Sequence, residues 1–386
     1  MEFSQKRIFG LDLVRSIAIL LVLCAHGLDF FLAPFLEESF IGRIINRSLS
    51  FPLGFFGVEL FFILSGFLIG GLIIKELVED GHWRYLLNFY FRRWLRTLPL
   101  YYLVVLILVL FPIGAGFTWE NLFFIQNFNS DTLAFNPVSW SLSVEEWFYF
   151  IVPLIMLLTF RFIKKNKRMY FMGISLSIII LSLMARILLV VFKDPSFDFG
   201  VRKQMFFRLD SIMFGVILAG IKFYYKNLYK KIVANRKMVF IIAMVGLVLC
   251  EIWFILHRDR ITLDQSLFSR TFFFTIVSIS CALFVISLET IKLPRTIMVG
   301  KSVTTISILS YGVYLLHFGI YTLVQNLVTV NSIFMGVTSF LVSTIFVFIL
   351  SAIVYKFYEL PIMNLRSKLK IKNINEKEIN KISTSG

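Results

Sequence analysis

Ten stretches of this chain are apolar for long enough to cross a hydrocarbon layer, and that feature excludes most folds. A bilayer core of about 30 Å takes about 20 helical residues. Windows of that order run near 13–33, 51–74, 98–117, 145–160, 170–192, 205–225, 238–256, 270–291, 305–325 and 333–355, the fourth being short. Hydrophobic residues make up 58% of the 386 positions, against roughly 45–50% in soluble domains. The expected fold is an all-α integral membrane protein, a bundle of about ten transmembrane helices.

Lys and Arg accumulate on the cytoplasmic side of such proteins. With the N-terminus inside, Lys6, Arg7, the groups at 75–96, 161–168 and 222–237, then Lys292, Arg295, Lys301 and the residues from Lys356 onward fall on inner segments. Only Arg43, Arg47, Lys193, Arg202, Lys203, Arg258 and Arg260 fall on outer ones. Both termini are therefore expected to be cytoplasmic. The net charge of +16 follows from topology, so membrane lipids and not nucleic acid are the expected surroundings. Residues 1–365 read as one transmembrane domain and 366–386 as a Lys-rich cytoplasmic tail, so any chemistry belongs to the membrane part. Cys24, Cys250 and Cys281 lie inside apolar windows without disulfide or metal spacing, and no metal is expected. Arg15 interrupts the first window and no small-x-small cleavage site follows it, while Leu23 before Cys24 does not fit a lipoprotein site. The segment is expected to be retained.

No internal repeat is visible, which disfavours a repeat-built transporter. The longest outer connection, 112–144, has no Lys or Arg but carries Trp119, Phe123, Phe124, Phe128, Phe135 and Trp140. An interfacial aromatic belt and a sugar-stacking surface both fit it.

A titratable side chain at bilayer depth is costly, so it faces the bundle interior with a partner or a task. The stretch GLDLVRSIAILLVLCAH carries three: Asp12, Arg15 and His26. Arg15 and His26 are separated by about 16.5 Å of rise and three turns plus about 20°, so they share a helix face. Arg15 lies toward the cytoplasmic end, His26 lies deeper, and Asp12 is placed to pair with Arg15. In FPLGFFGVELFFILSGFLIGGLII, Glu59 sits roughly 12 Å from the outer end, nearly at the depth of His26. His317, in SYGVYLLHFG, falls in the same layer. Imidazole is the side chain suited to proton transfer near neutral pH. The competing reading for both histidines is an interhelical hydrogen bond.

Four further charges read as structural: Glu251 as a partner for Arg186 or another buried group, and Arg208 with Asp210 as a salt bridge opening the sixth window. In RYLLNFYFRRWLRTLP, an inner loop, Arg93 and Arg96 share a face beside Arg92. Guanidinium forks there suit phosphate groups, and interfacial anchoring suits them equally well. Ser143-Val144-Glu145-Glu146 matches a capping box at the start of the fourth span. That accounts for Glu146 and leaves Glu145 and Trp140 wanting another explanation.

These residues together resemble the acyltransferase-3 family, membrane O-acyltransferases that include bacterial O-antigen acetylases. The motifs occur in order over about the first 365 residues: GLDLVRSIAILLVLCAH, GVELFFILSGFLI, RRWLRTLPLYY, WSLSVEEWFYF, FRLDSIMFGVILA, SYGVYLLHF and YELP. The resemblance implies a ten-helix bundle in the bacterial cytoplasmic (inner) membrane. It implies transfer of an acyl group, usually acetyl, from cytoplasmic acyl-CoA (acetyl-CoA) to a hydroxyl of a cell-envelope saccharide or glycolipid. By motif, His26 is the catalytic histidine, Arg15 faces the acyl-CoA, and Arg93 with Arg96 contacts its phosphates. Glu59 or Glu145 is expected to orient His26, which acts as a base or as a transient acyl carrier. Some relatives carry a fused extracytoplasmic esterase-like domain; none is visible in this sequence, so transfer is expected to be completed by the chain alone or with a partner. The runner-up reading is an exporter or flippase of a lipid-linked or polymeric saccharide.

Overall fold

The computed structural model describes residues 7–368, apart from 80, 112–115, 129–132, 134, 258–259 and 293–296. Lipid offers no hydrogen bonds to a bare backbone, so apolar windows satisfy their own amides as helices. Ten run up and down through the described residues: α1 (Phe9–Gly27), α2 (Phe40–Leu72), α3 (Trp83–Leu110), α4 (Trp140–Phe162), α5 (Lys167–Lys193), α6 (Leu209–Tyr224), α7 (Arg236–Leu256), α8 (Phe272–Glu289), α9 (Ile297–Leu327) and α10 (Ile333–Val354). No strand occurs among the described residues. The end of the bundle where α1 begins is called the near face here, and the opposite end the far face.

Nine of the helical segments are long and apolar enough to cross a membrane. The tenth, α6, has 16 residues, about 24 Å of rise. It is short because it is a core element, packed against α2, α5 and α8. The crossing of α6 with α2 is backbone-close: a Cβ on Gly66 would lie 1.9 Å from the Ile212 carbonyl oxygen, and one on Gly215 would lie 2.1 Å from that of Ile63. Gly66→Ala is therefore expected to force the helices apart and cost about 1–3 kcal/mol, read as a lower unfolding temperature of the purified protein in detergent. Gly71→Ala, with nothing within 4 Å of its Cβ, is the control expected to leave it unchanged.

Helix limits depart from the apolar windows where helices continue into water. The arginine stretch RYLLNFYFRRWLRTLP is not a loop: it forms the first turns of α3, with His82 Nδ1 accepting from the Arg84 amide at 3.3 Å. Hydropathy marks only the lipid-embedded part of a helix. Pro99 inside α3 removes one donor from the helical ladder, and tyrosines from elsewhere donate nearby, Tyr311 to the Thr97 carbonyl at 2.6 Å and Tyr358 to the Pro99 carbonyl at 3.2 Å.

The capping box is not one either. A tight turn at Pro137–Ser139 leads straight into α4 at Trp140, so Ser143, Glu145 and Glu146 lie inside the helix. Glu146 Oε1 is buried with no hydrogen-bond partner among the described residues. The connection from α3 to α4 folds back over the far face. Phe124, Phe135 and Trp140 are buried, while Trp119 and Phe123 stay exposed, so Trp140 offers no open surface for stacking a sugar.

Two ion pairs knit the core. Arg186 donates to Asp210 at 2.9 Å and Arg208 pairs with Glu59, all four side chains being buried. Ser278 donates to Glu59 Oε2 at 3.2 Å, and Arg208 donates to Ser211 Oγ at 2.9 Å. The expected pairings Arg208–Asp210 and Arg186–Glu251 are thus replaced by crossed pairs joining α2, the start of α6 and α5. Glu251 Oε1 is buried without a partner among the described residues. A π turn, Tyr355–Glu359, leads from α10 into the helix Leu360–Lys368. The rest of the Lys-rich tail, 369–386, lies outside the described residues.

Candidate active site

His26 stands at the last turn of α1, just before a π turn at Leu28–Leu32, an irregularity often found at functional sites. Its Nδ1 lies 2.7 Å from His317 Nε2. The two rings are nearly coplanar, 8° apart with centroids at 5.0 Å, so they meet edge to edge, nitrogen to nitrogen. His317 Nδ1 in turn lies 2.7 Å from the Tyr314 carbonyl oxygen and 3.2 Å from that of Val313. A carbonyl only accepts, so His317 Nδ1 carries its proton and, in the neutral ring, Nε2 is the bare acceptor. His26 Nδ1 must then donate to it. The tautomer of neutral His26 follows: its Nε2 holds the free lone pair. That nitrogen has no hydrogen-bond partner among the described residues, and the ring keeps part of its accessible surface. The arrangement can take up a proton at Nε2 without losing the hydrogen bond that aims the ring.

Toward the near face the same side of α1 meets a cluster of guanidiniums. Arg15 is within electrostatic reach of Arg7, Arg93 and Arg96. Asp12 is satisfied mainly by Arg7 (2.6 Å) and by Ser307 Oγ (2.7 Å), while Arg15 stands 4.0 Å away. The expected Asp12–Arg15 pair is therefore loose, because Arg7 neutralises the carboxylate and leaves Arg15 available. Arg96 is exposed and lies within electrostatic reach of Arg7, Arg93 and Glu359.

Arg93 lies 4.2 Å over the Tyr149 ring. The Tyr149 hydroxyl donates to Glu145 Oε2 at 2.9 Å, and Ser65 donates to Glu145 Oε1 at 3.0 Å. Glu145 thus positions Arg93 through Tyr149 and does not orient His26. Glu59 does not orient it either: its oxygens are taken by Arg208 and Ser278, and the partner of His26 is His317. Arg92 turns away to pair with Glu76.

Sequence reasoning singled out His26, Arg15, Arg93 and Arg96, and it assigned no role to three of their neighbours, Arg7, Tyr149 and Glu359. His317 was visible as a shared depth, but its bond to His26 was not. Arg7 looked like a topology charge, Tyr149 carried no signal of its own, and Glu359 of the YELP stretch, within electrostatic reach of Arg96, had no partner to suggest it. Among the described residues no group of three or more His, Cys, Asp or Glu could hold a metal ion.

The chain is thus a multi-pass helical membrane protein with an imidazole pair in its interior and arginines clustered toward one face. Comparison with known proteins agrees: residues 8–356 match the acyltransferase domain family model Acyl_transf_3, and the chain belongs to that family. It is similar to the peptidoglycan O-acetyltransferase OatA of Listeria monocytogenes, 25% identical with 94% of this chain and 56% of that protein covered. It is likewise similar to the O-acetyltransferase OatA of Staphylococcus aureus, 26% identical with 93% of this chain and 58% of that protein covered. The chain therefore spans little more than half the length of these relatives. No solved structure matches it significantly.

Proposed function

We propose that this chain is an O-acyltransferase of the bacterial cytoplasmic membrane, moving an acyl group, acetyl in the simplest case, from cytoplasmic acyl-CoA to a hydroxyl of a cell-envelope saccharide or glycolipid. The observation that carries this reading is the free Nε2 of His26, set by His317, about 16.5 Å along one helix face from Arg15. The near face is then cytoplasmic, in keeping with its excess of Lys and Arg, and both termini lie there. The Listeria relative is named for acting on peptidoglycan, which supports an envelope carbohydrate as acceptor.

Acyl-CoA suits the near-face arginine cluster because its phosphates match guanidinium forks. Arg15, Arg93 and Arg96 are the groups to hold them. The bound thioester supplies an activated acyl carbon; the rest falls to the chain. His26 Nε2 receives the acceptor hydroxyl proton as the new oxygen–acyl bond forms. Its Nδ1–H stays on His317, which keeps the ring aimed while it is charged. His26 then returns the proton to the departing sulfur, and the site is restored.

Replacing both Arg93 and Arg96 by alanine tests the donor side. Removing charge-assisted hydrogen bonds worth about 1.5–3 kcal/mol each is expected to raise KM for acetyl-CoA at least about tenfold in proteoliposomes carrying labelled acetyl-CoA and saccharide. An unchanged KM with lower expression would make both arginines interfacial anchors. Saccharide crossing the bilayer without gaining label would favour export over transfer.

A further inference from the structure

Trp140 and the far-face cations remain without a role in the transfer just described. Between α5 and α6 a π turn spans Phe197–Arg202, with Ser196 Oγ accepting from the Gly200 amide at 3.1 Å. Arg202 ends this turn and is 8% exposed. Its guanidinium lies 5.0 Å over the Phe51 ring and 4.9 Å over the Trp140 ring. Its Nε donates to Asp198 Oδ1 at 2.5 Å, and Lys203 Nζ donates to Asp198 Oδ2 at 2.8 Å. Asn127 Nδ2 ties the same corner together, donating to the Lys203 carbonyl at 2.7 Å and the Trp140 carbonyl at 3.1 Å. The guanidinium is thus flanked by two rings and hydrogen-bonded through its inner nitrogen.

What this clamp leaves out is informative. No hydrogen bond engages the two terminal amino groups of Arg202 among the described residues, and neither is closed off as a buried unsatisfied atom. Arg202 and Lys203 share the Asp198 carboxylate. Burial alone would raise the pKa of Asp198, but Arg202 and Lys203 more than offset it and hold it at about 2. A depressed carboxylate keeps its charge above its folded pKa, so this arrangement persists down to about pH 2.

The corner also adjoins the imidazole pair. Ser141, next to Trp140, shares a 2.6 Å hydrogen bond with the Tyr314 hydroxyl, and the Tyr314 ring lies 5.8 Å from that of His317. Arg202 is within electrostatic reach of both Tyr314 and His26. A structural arginine has its fork occupied; this one keeps its terminal amino groups open, within electrostatic reach of His26 and on the opposite face from the arginines near Arg15.

We propose that Arg202 is the acceptor-recognition residue: its terminal amino groups take an anionic group, carboxylate or phosphate, of the saccharide and hold a neighbouring hydroxyl against His26 Nε2. The proposal rests on the acyltransferase reading for the role of His26, but binding tests it separately. A planar fork matches two oxygens at once, and its clamped geometry loses little freedom on binding.

The test measures binding of three probes to the purified protein in detergent by microscale thermophoresis: methyl glucuronide, glucose 6-phosphate and methyl glucoside. One or both anionic probes are expected to bind at least about tenfold more tightly than the glucoside, the size of one charge-assisted contact. Which of them does so identifies the group. Arg202→Gln should erase the preference, and His26→Ala should leave it intact. Equal binding of all three probes, or a preference that survives Arg202→Gln, overturns the proposal. Should Arg202→Gln not fold, Arg202→Lys decides, since it keeps the charge and loses the fork: a preference cut at least threefold supports the proposal, and full retention overturns it. A wild-type protein that prefers the anionic probes yet transfers no acetyl would sink the acyltransferase reading and leave Arg202 as an anion site.

Discussion

His26→Ala is expected to lower acyl transfer by about 10²–10⁴-fold, the usual contribution of a positioned general base, while leaving most of the protein folded. The ring gives up one hydrogen bond, to His317, worth about 0.5–1.5 kcal/mol, and it is only partly buried. Stability should therefore change little. KM for acetyl-CoA should also hold, because Arg15 lies about 16.5 Å along the helix from His26, so the loss belongs to kcat. His317→Ala should act in the same direction through His26: without Nε2 as acceptor, the Nδ1 proton of His26 is no longer fixed and the imidazole can present the wrong nitrogen. Such a tautomer fault lowers kcat with the catalytic ring still in place. A raised KM with kcat intact in His26→Ala would move the residue from chemistry to binding.

Glu59→Ala is expected to behave in the opposite way, costing about 3–5 kcal/mol of stability, the penalty for leaving one partner of a buried ion pair uncompensated, with little change in the kcat of whatever remains folded. Arg208 is fully buried, and its Nε and NH1 already lack partners among the described residues. Without Glu59 its charge has only Ser211 Oγ for a hydrogen bond. The measurement is the yield of monodisperse protein and its unfolding temperature. Joining Glu59→Leu with Arg208→Met, which removes both charges and keeps volume, should recover much of the loss. A Glu59→Ala protein that is as stable as the parent but inactive would return this carboxylate to the reaction.

Much of this arrangement was legible in the sequence, for a physical reason. A charge in lipid is expensive, so Arg15, His26, Glu59 and His317 stood out against their leucines and phenylalanines, and helical rise alone ordered Arg15 and His26 on one face. The ten windows were readable because lipid imposes helix. Depth along a helix, however, says nothing of which neighbour a side chain meets. Glu59 and His26 share a layer, but α2 turns its carboxylate toward α6 and α8, where Arg208 and Ser278 wait. The partner of His26 comes instead from α9, some 290 positions later. Glu145 was noticed for lack of an explanation, and its role, holding Tyr149 beneath Arg93, depends on a contact between α3 and α4 that no spacing encodes. Arg202 was counted only as an outer charge, since nothing local revealed that Phe51 and Trp140 would enclose it.

The central claim is that an acyl group is transferred within the bundle from a donor on the arginine side to an acceptor from the opposite side, with His26 as the base. It is tested most directly in proteoliposomes sorted for one orientation, with labelled acetyl-CoA on the near-face side and unlabelled envelope saccharide on the far-face side. Label should appear on the saccharide with the wild-type protein, disappear with His26→Ala, and fail to appear when donor and acceptor are exchanged. Undiminished label with His26→Ala, or saccharide that crosses without label, would contradict it.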